Sequence, residues 1–155
     1  MVDLQEIEVI KRLKYRYVRS LDLKLWDELG ECLTEDCRSA YGDGHFSFDG
    51  RAAILAFLKD ALGPTTRITA HRVHQPEIEL TSPTTATGVW ALDDVVIETE
   101  AKLTIRGAAF YHDEYVKVGG EWKIKSTGYQ RLFEERLSRV DTPSWRLTAN
   151  RWAAQ

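Results

Sequence analysis

Asp22 closes an amphipathic stretch, Leu4–Leu21, and stands just before the apolar pair Leu25-Trp26. A carboxylate in such company is costly to bury unless something pairs with it. The candidate partner is His71, which lies in a segment, Thr66–Leu80, with an extended pattern. An aspartate set behind a histidine is apparatus for taking a proton from carbon. The carboxylate orients the imidazole and stabilises its cationic form. The competing reading, a solvated helix-capping aspartate and an unrelated histidine, stays open on these two residues alone.

Other chemistries find little support. His71 and His74 are three apart on an expected strand and point to opposite faces, and His112-Asp113 diverge in the same way, so no metal site is expected. Gly42-Asp43-Gly44 reads as a turn, since no strand–helix unit surrounds it to make a phosphate loop. No serine or cysteine sits in a recognisable nucleophile elbow. Cys32 and Cys37 lack CxxC spacing and read as reduced, buried thiols. Trp90, Trp122 and Phe110 read as core or pocket wall, with no cofactor implied.

The elements that must hold this chemistry follow from periodicity. Leu4, Ile7, Val9, Ile10, Leu13, Tyr17 and Leu21 recur at helical spacing, with Asp3 as N-cap and Lys11, Arg12, Lys14 and Arg16 as a solvated outer stripe. Further helices are predicted over Leu23–Cys32 and Gly50–Leu62. Strands are predicted over Asp36–Tyr41, His45–Phe48, Arg67–Leu80, Thr85–Glu98, Lys102–Val118 and Glu121–Arg131, with Gly119-Gly120 a tight hairpin turn. Helices first and a curved antiparallel sheet afterwards make an α+β fold, a cone-shaped barrel whose open end is a pocket. The chain of 155 residues, 43% hydrophobic, reads as one domain over 1–140 with a tail over 141–155. The tail carries Trp145 and Trp152, so it is expected to pack on the domain or on a neighbouring subunit.

A formal charge of −3 with interspersed signs argues against a nucleic-acid surface. No apolar run approaches a membrane span, and the N-terminus has no signal-peptide pattern, so a cytoplasmic protein is expected.

Tyr17-Val-Arg-Ser-Leu-Asp22-Leu-Lys-Leu-Trp26-Asp27 resembles the opening motif of SnoaL-like members of the nuclear transport factor 2-like superfamily. Gly107-Ala-Ala-Phe-Tyr-His-Asp-Glu-Tyr115 and Gly120-Glu-Trp122-Lys-Ile124 resemble their closing hairpin. Within that superfamily, His71-Arg-Val-His74-Gln-Pro-Glu-Ile78, Thr84-Thr-Ala-Thr-Gly88-Val-Trp90, Gly107-Ala-Ala-Phe-Tyr111 and Thr127-Gly-Tyr-Gln-Arg131-Leu-Phe-Glu-Glu135 are similar to the bile-acid 7α-dehydratases. Those enzymes act on 7α-hydroxy-3-oxo-Δ4 bile-acid thioesters. The resemblance implies active-site positions at Tyr17, Asp22, Tyr41, His71, Asp94 and Arg131. It departs at Leu103, where the family carries an active-site tyrosine.

The resemblance therefore implies a cofactor-independent hydro-lyase with Tyr17, Asp22 and His71 catalytic and Tyr41, Asp94 and Arg131 binding substrate. Removing water beside a conjugated enone needs a base for the C–H, a donor for the enolate oxygen and a proton for the departing hydroxyl. Asp22–His71 supplies the base and Tyr17 a donor, with Tyr41 a second donor or shuttle. Arg131 either contacts a substrate oxygen or holds Asp94, and Asp94 helps position the leaving hydroxyl. The same residues have plainer readings: Asp93-Asp94 in a solvated bend, Tyr41 as strand packing. The partner is an apolar polycyclic small molecule, as a free acid, a coenzyme A thioester or a sterol without side chain. Related dehydratases imply a homotrimer. The dyad alone does not choose between a dehydratase and a cyclase, isomerase or dehydrochlorinase, and a non-catalytic ligand-binding or small-subunit module is the alternative from another class.

Overall fold

The computed structural model describes residues 3–153. Three helices, α1 (Leu4–Asp22), α2 (Trp26–Glu31) and α3 (Arg51–Leu62), pack on a strongly curved sheet. The strands are β1 (Leu33–Tyr41), β2 (Phe46–Asp49), β3 (Arg67–Ser82), β4 (Thr85–Glu98), β5 (Leu103–Val118) and β6 (Glu121–Ser138), in spatial order β2-β1-β6-β5-β4-β3. The sheet is an open cone, not a closed barrel, with β2 and β3 at its edges. It is also not wholly antiparallel, because β1 runs parallel to β6.

Asp3 caps α1 as its spacing suggests, its carboxylate accepting from the backbone N–H of Gln5 and Glu6. The buried face of α1 is Ile10, Leu13, Lys14, Tyr17, Val18 and Leu21. This corrects two sequence expectations. Leu4 and Val9 are exposed, and Lys14, expected on the solvated stripe, has no exposed surface. The 3-4 spacing places Lys14 one turn from both Ile10 and Tyr17, squarely inside the apolar stripe. The charge of its head masked what its position says.

The chain leaves α1 through Lys24 in the left-handed region (φ 58°), so α2 begins at Trp26 and not at Leu23. Lys24 Nζ then bonds the carbonyls of Leu62 and Arg67, tying the ends of α1 and α3 to the start of β3. Period-2 burial along β4 and β5 turns Ala86, Trp90, Leu92 and Asp94, then Ala109, Tyr111, Asp113 and Tyr115, into the cone. Gly119 and Gly120, at φ 59° and 86°, supply the positive dihedrals that their two-residue turn requires. The last strand continues past Arg131 to Ser138, since β5 offers it a partner along its whole length, from Val118↔Glu121 to Leu103↔Ser138. Register shifts at His74/Glu77, Ala108/Ala109 and Glu114/Tyr115 bend the sheet around the helices.

Among the described residues beyond β6 there is no regular element. The guanidinium of Arg139 donates to Thr104 Oγ1 at 3.0 Å, and the Trp152 ring lies 5.2 Å from Lys24 Nζ. Trp145 is exposed. Among the described residues, no helix is long and apolar enough to cross a membrane.

Candidate active site

The wide end of the cone holds a cavity of about 510 Å³ between α1, α3 and the concave face of the sheet. Tyr17, Tyr41, His71, Asp94 and Arg131 all line it, and Asp22 stands directly behind His71. A cavity of this size suits a drug-sized or polycyclic molecule.

Asp22 is fixed by four groups. His71 Nδ1 lies 2.7 Å from Asp22 Oδ1, and the His71 backbone N–H donates to Oδ2 at 2.8 Å. Thr69 Oγ1 donates to Oδ1 at 2.9 Å, and the exposed Arg72 guanidinium approaches Oδ2 at 3.7 Å. Thr69 and His71 can both reach the carboxylate because, two apart on β3, they share the concave face. Burial raises the Asp22 carboxyl, but the hydrogen bond and charge of His71, its backbone N–H and the Thr69 hydroxyl outweigh that and hold it below the usual carboxylate value. The carboxylate is therefore an anion, and Nδ1–H donating to it leaves the lone pair on Nε2. His71 is itself a cavity-lining residue. That is the arrangement a general base needs.

Tyr17 and Tyr41 meet across the cavity floor with their hydroxyl oxygens 2.8 Å apart. Burial pushes both phenols above their ordinary values, and for Tyr17 the neighbouring tyrosines add to the effect. They stay protonated at any physiological pH. One hydroxyl donates to the other, so the pair presents one free O–H to the cavity, and two only where a bound oxygen replaces the contact between them; it does not take protons.

Asp94 and Arg131 form a bidentate ion pair, with Arg131 Nη2 3.0 Å from Asp94 Oδ2. Asp94 is buried in a regular strand, not in a solvated bend, while its neighbour Asp93 faces outward and meets the exposed His74 at 2.9 Å. Burial alone lowers the Arg131 guanidinium, and its hydrogen bonds and charge contact with Asp94 more than restore it. Register explains how the two meet: His71 pairs with Asp94, Asp94 with Gly107, and Ala109 with Arg131. A Cβ on Gly107 would stand 2.7 Å from Arg131 Nη1 and 2.6 Å from the Phe133 carbonyl, so only glycine leaves Arg131 a path to Asp94. Asp43, in the β1–β2 turn, accepts the backbone N–H of Arg131 at 3.1 Å. Of the two roles open to Arg131 from sequence, holding Asp94 is the contact present.

Several cavity residues escaped the sequence reading of individual roles. Tyr111 and Tyr129 line the cavity edge to face, their ring centroids 5.6 Å apart, and Arg131 lies over Tyr129 at 4.8 Å. Phe57 on α3 stacks with Tyr41, Phe46 and Phe48. Tyr111 and Tyr129 lie within the stretches Gly107–Tyr111 and Thr127–Glu135, and the alternation of β5 and β6 is the signal for them. Leu103, with Val96 and Ile105, makes an apolar wall where the resembled family has a hydroxyl. Burial pushes Cys32 up to about 11 and Cys37 to about 12, so neither is a thiolate nucleophile. Among the described residues no group of three or more His, Cys, Asp or Glu side chains is placed to hold a metal ion.

Comparison with known proteins gives this geometry a lineage. The chain is 23% identical over 142 residues to a Gibberella zeae protein named "Probable cyclase FGR4", covering 84% of this chain and 93% of that one. A Novosphingobium aromaticivorans structure described as a candidate scytalone dehydratase superposes with a TM-score of 0.79 at 25% identity, over 95% of this chain and 92% of the other. A hexachlorocyclohexane dehydrochlorinase, LinA-type3 of Novosphingobium barchaimii, shares the fold with a TM-score of 0.78 at 18% identity, over 87% and 92%. The family model for the SnoaL-like domain matches residues 2–128. With most of its length under that model and a cone built on the same plan, the chain belongs to the SnoaL-like domain family.

Proposed function

We propose that the protein is a cofactor-independent hydro-lyase that removes water from an apolar polycyclic hydroxy-ketone of the steroid or bile-acid type. The observation that carries this reading is the Asp22–His71 contact of 2.7 Å, with His71 on the wall of a cavity that combines apolar side chains and phenols with the Asp94–Arg131 pair and further charged side chains. His71 Nε2 takes the proton from the carbon beside the hydroxyl-bearing one, and the electron pair moves through the conjugated system onto the carbonyl oxygen. Tyr17 and Tyr41 hydrogen-bond the resulting enolate. As the carbonyl re-forms, the C–O bond breaks and the hydroxide departs with the proton held on His71, giving the extended diene-one and water. Asp94, held by Arg131, orients the leaving hydroxyl.

The substrate class rests on the 7α-dehydratase-like motifs and on the apolar wall of Leu103, Val96 and Ile105. Both Arg131 amino nitrogens are engaged by Asp94, with Glu134 at 3.5 Å, so a substrate carboxylate deep in the site would compete with Asp94, while the largely exposed Arg136 also lines the cavity. A side-chain acid or thioester would sit at the cavity mouth. A second reading, a cyclase or dehydrochlorinase using the same dyad, is favoured by the likeness to a probable cyclase and a dehydrochlorinase and by the same apolar wall.

Incubation with a panel of 7α-hydroxy-3-oxo-Δ4 steroids, with and without side chain, tests the proposal. Loss of one water by mass with growth of the extended-diene absorbance is expected. Binding of the panel without any turnover would sink the lyase reading in favour of a ligand-binding module.

A further inference from the structure

Beneath the cavity floor lies an ionic network that the reaction above does not use. Lys14 Nζ is 2.7 Å from Asp113 Oδ2, and both side chains are fully buried. Tyr115 OH and Thr127 Oγ1 each donate to Asp113 at 2.7 Å, and Trp90 Nε1 donates to Tyr115 OH at 2.9 Å. Every carboxylate contact is thus made by a group that does not line the cavity. The ammonium faces the other way. It sits 3.5 Å from the centroid of the Tyr111 ring and 4.9 Å from that of Tyr17, and both rings line the cavity.

The pair is therefore a dipole whose positive end touches the two tyrosine rings, with the Asp113 charge behind it opposing ionisation of the same two phenols. Taking two charges out of water is expensive, and a well-packed apolar pair of similar volume is often as stable or more so. Burial pulls Lys14 below the ordinary lysine value and Asp113 offsets that only in part, the cost of placing an amine where hydrocarbon would otherwise go. A cation within cation–π distance of a phenol ring draws electron density from it and strengthens the hydroxyl as a donor. In a dry site such preorganised charge acts at close to full strength.

We propose that Lys14 is a positioning residue for the site: through the Tyr17 and Tyr111 rings it favours negative charge developing on an oxygen at the cavity floor, and it selects ligands able to place an oxyanion there. The inference rests on the proposed enolate chemistry, but its test reads anion binding and does not need turnover. The probes are naphthalene and a series of 2-naphthols of graded acidity. Wild-type affinity should rise as the naphthol becomes more acidic.

In Lys14→Met/Asp113→Asn, which removes both charges together, that dependence should flatten. Affinity for the most acidic naphthol should fall about tenfold or more, while naphthalene binds within about twofold of wild type. If a steroid of the panel is turned over, its kcat should drop by about 10- to 100-fold with KM nearly unchanged. A folded double variant with an unaltered acidity dependence overturns the proposal. Should the variant not fold, the side-chain resonances of Lys14 in the wild-type protein decide. They should shift on binding the acidic naphthol and not on binding naphthalene, and equal responses to both would refute the role.

Discussion

The Asp22 carboxylate accepts two side-chain bonds and one backbone bond, and each has a testable consequence. Asp22→Asn keeps the shape and loses the anion, so turnover should fall on the order of 10²–10⁴-fold while the fold survives, checked by kinetics beside thermal melting. Tyr17→Phe should cost less, since it removes one of two donors and no base; a lost oxyanion donor is worth about 3–4 kcal/mol at most. Stability should carry its own signature. The folded Asp22 carboxyl is held below its unfolded value, so its contribution is complete above the ordinary aspartate value of about 3.9 and is lost as pH falls through the lowered one. Acid unfolding of Asp22→Asn should lack that component.

Among the elements, β5 carries the tightest constraint. Gly107 lies between Asp94 and Arg131, and Gly107→Ala should displace the guanidinium and destabilise the protein by about 1–3 kcal/mol, read from chemical denaturation. The sequence made β4 legible to the residue and β3 and β5 to within two, because alternation and the Gly119-Gly120 turn are local signals. It overextended α2 backward because the left-handed exit at Lys24 depends on bonds to Leu62 and Arg67, far along the chain. It stopped β6 at Arg131 because Leu132, Phe133 and the charged residues after them follow no clean alternation; what extends that strand is β5. Lys14 was misplaced for the opposite reason. Its spacing was legible, but its partner Asp113 lies on a strand that helical periodicity does not reach.

At the scale of the whole molecule, the open sheet and the tail bear on assembly. Leu132 and Phe133 on β6 are exposed, as are Val140 and Trp145 beyond it. A run of exposed apolar side chains at a sheet face and its following segment is a candidate subunit contact. We propose a homotrimer in which residues 141–155 cover a neighbour, and deletion of that segment should lower the mass measured by light scattering to that of the monomer. A full-length protein already monomeric would remove this reading. The candidate site itself was visible in the sequence only as separated residue types. Bringing Tyr17, Tyr41, His71, Asp94 and Arg131 around one cavity takes the curvature that the register shifts impose, which no local pattern records.

The claim on which all of this turns is that His71 is the base. The direct measurement is the rate of water loss from the best-accepted 7α-hydroxy-3-oxo-Δ4 steroid, wild type against His71→Ala, both shown folded by circular dichroism. Loss of nearly all activity in the variant is the expected result; turnover near the wild-type rate would contradict the assignment.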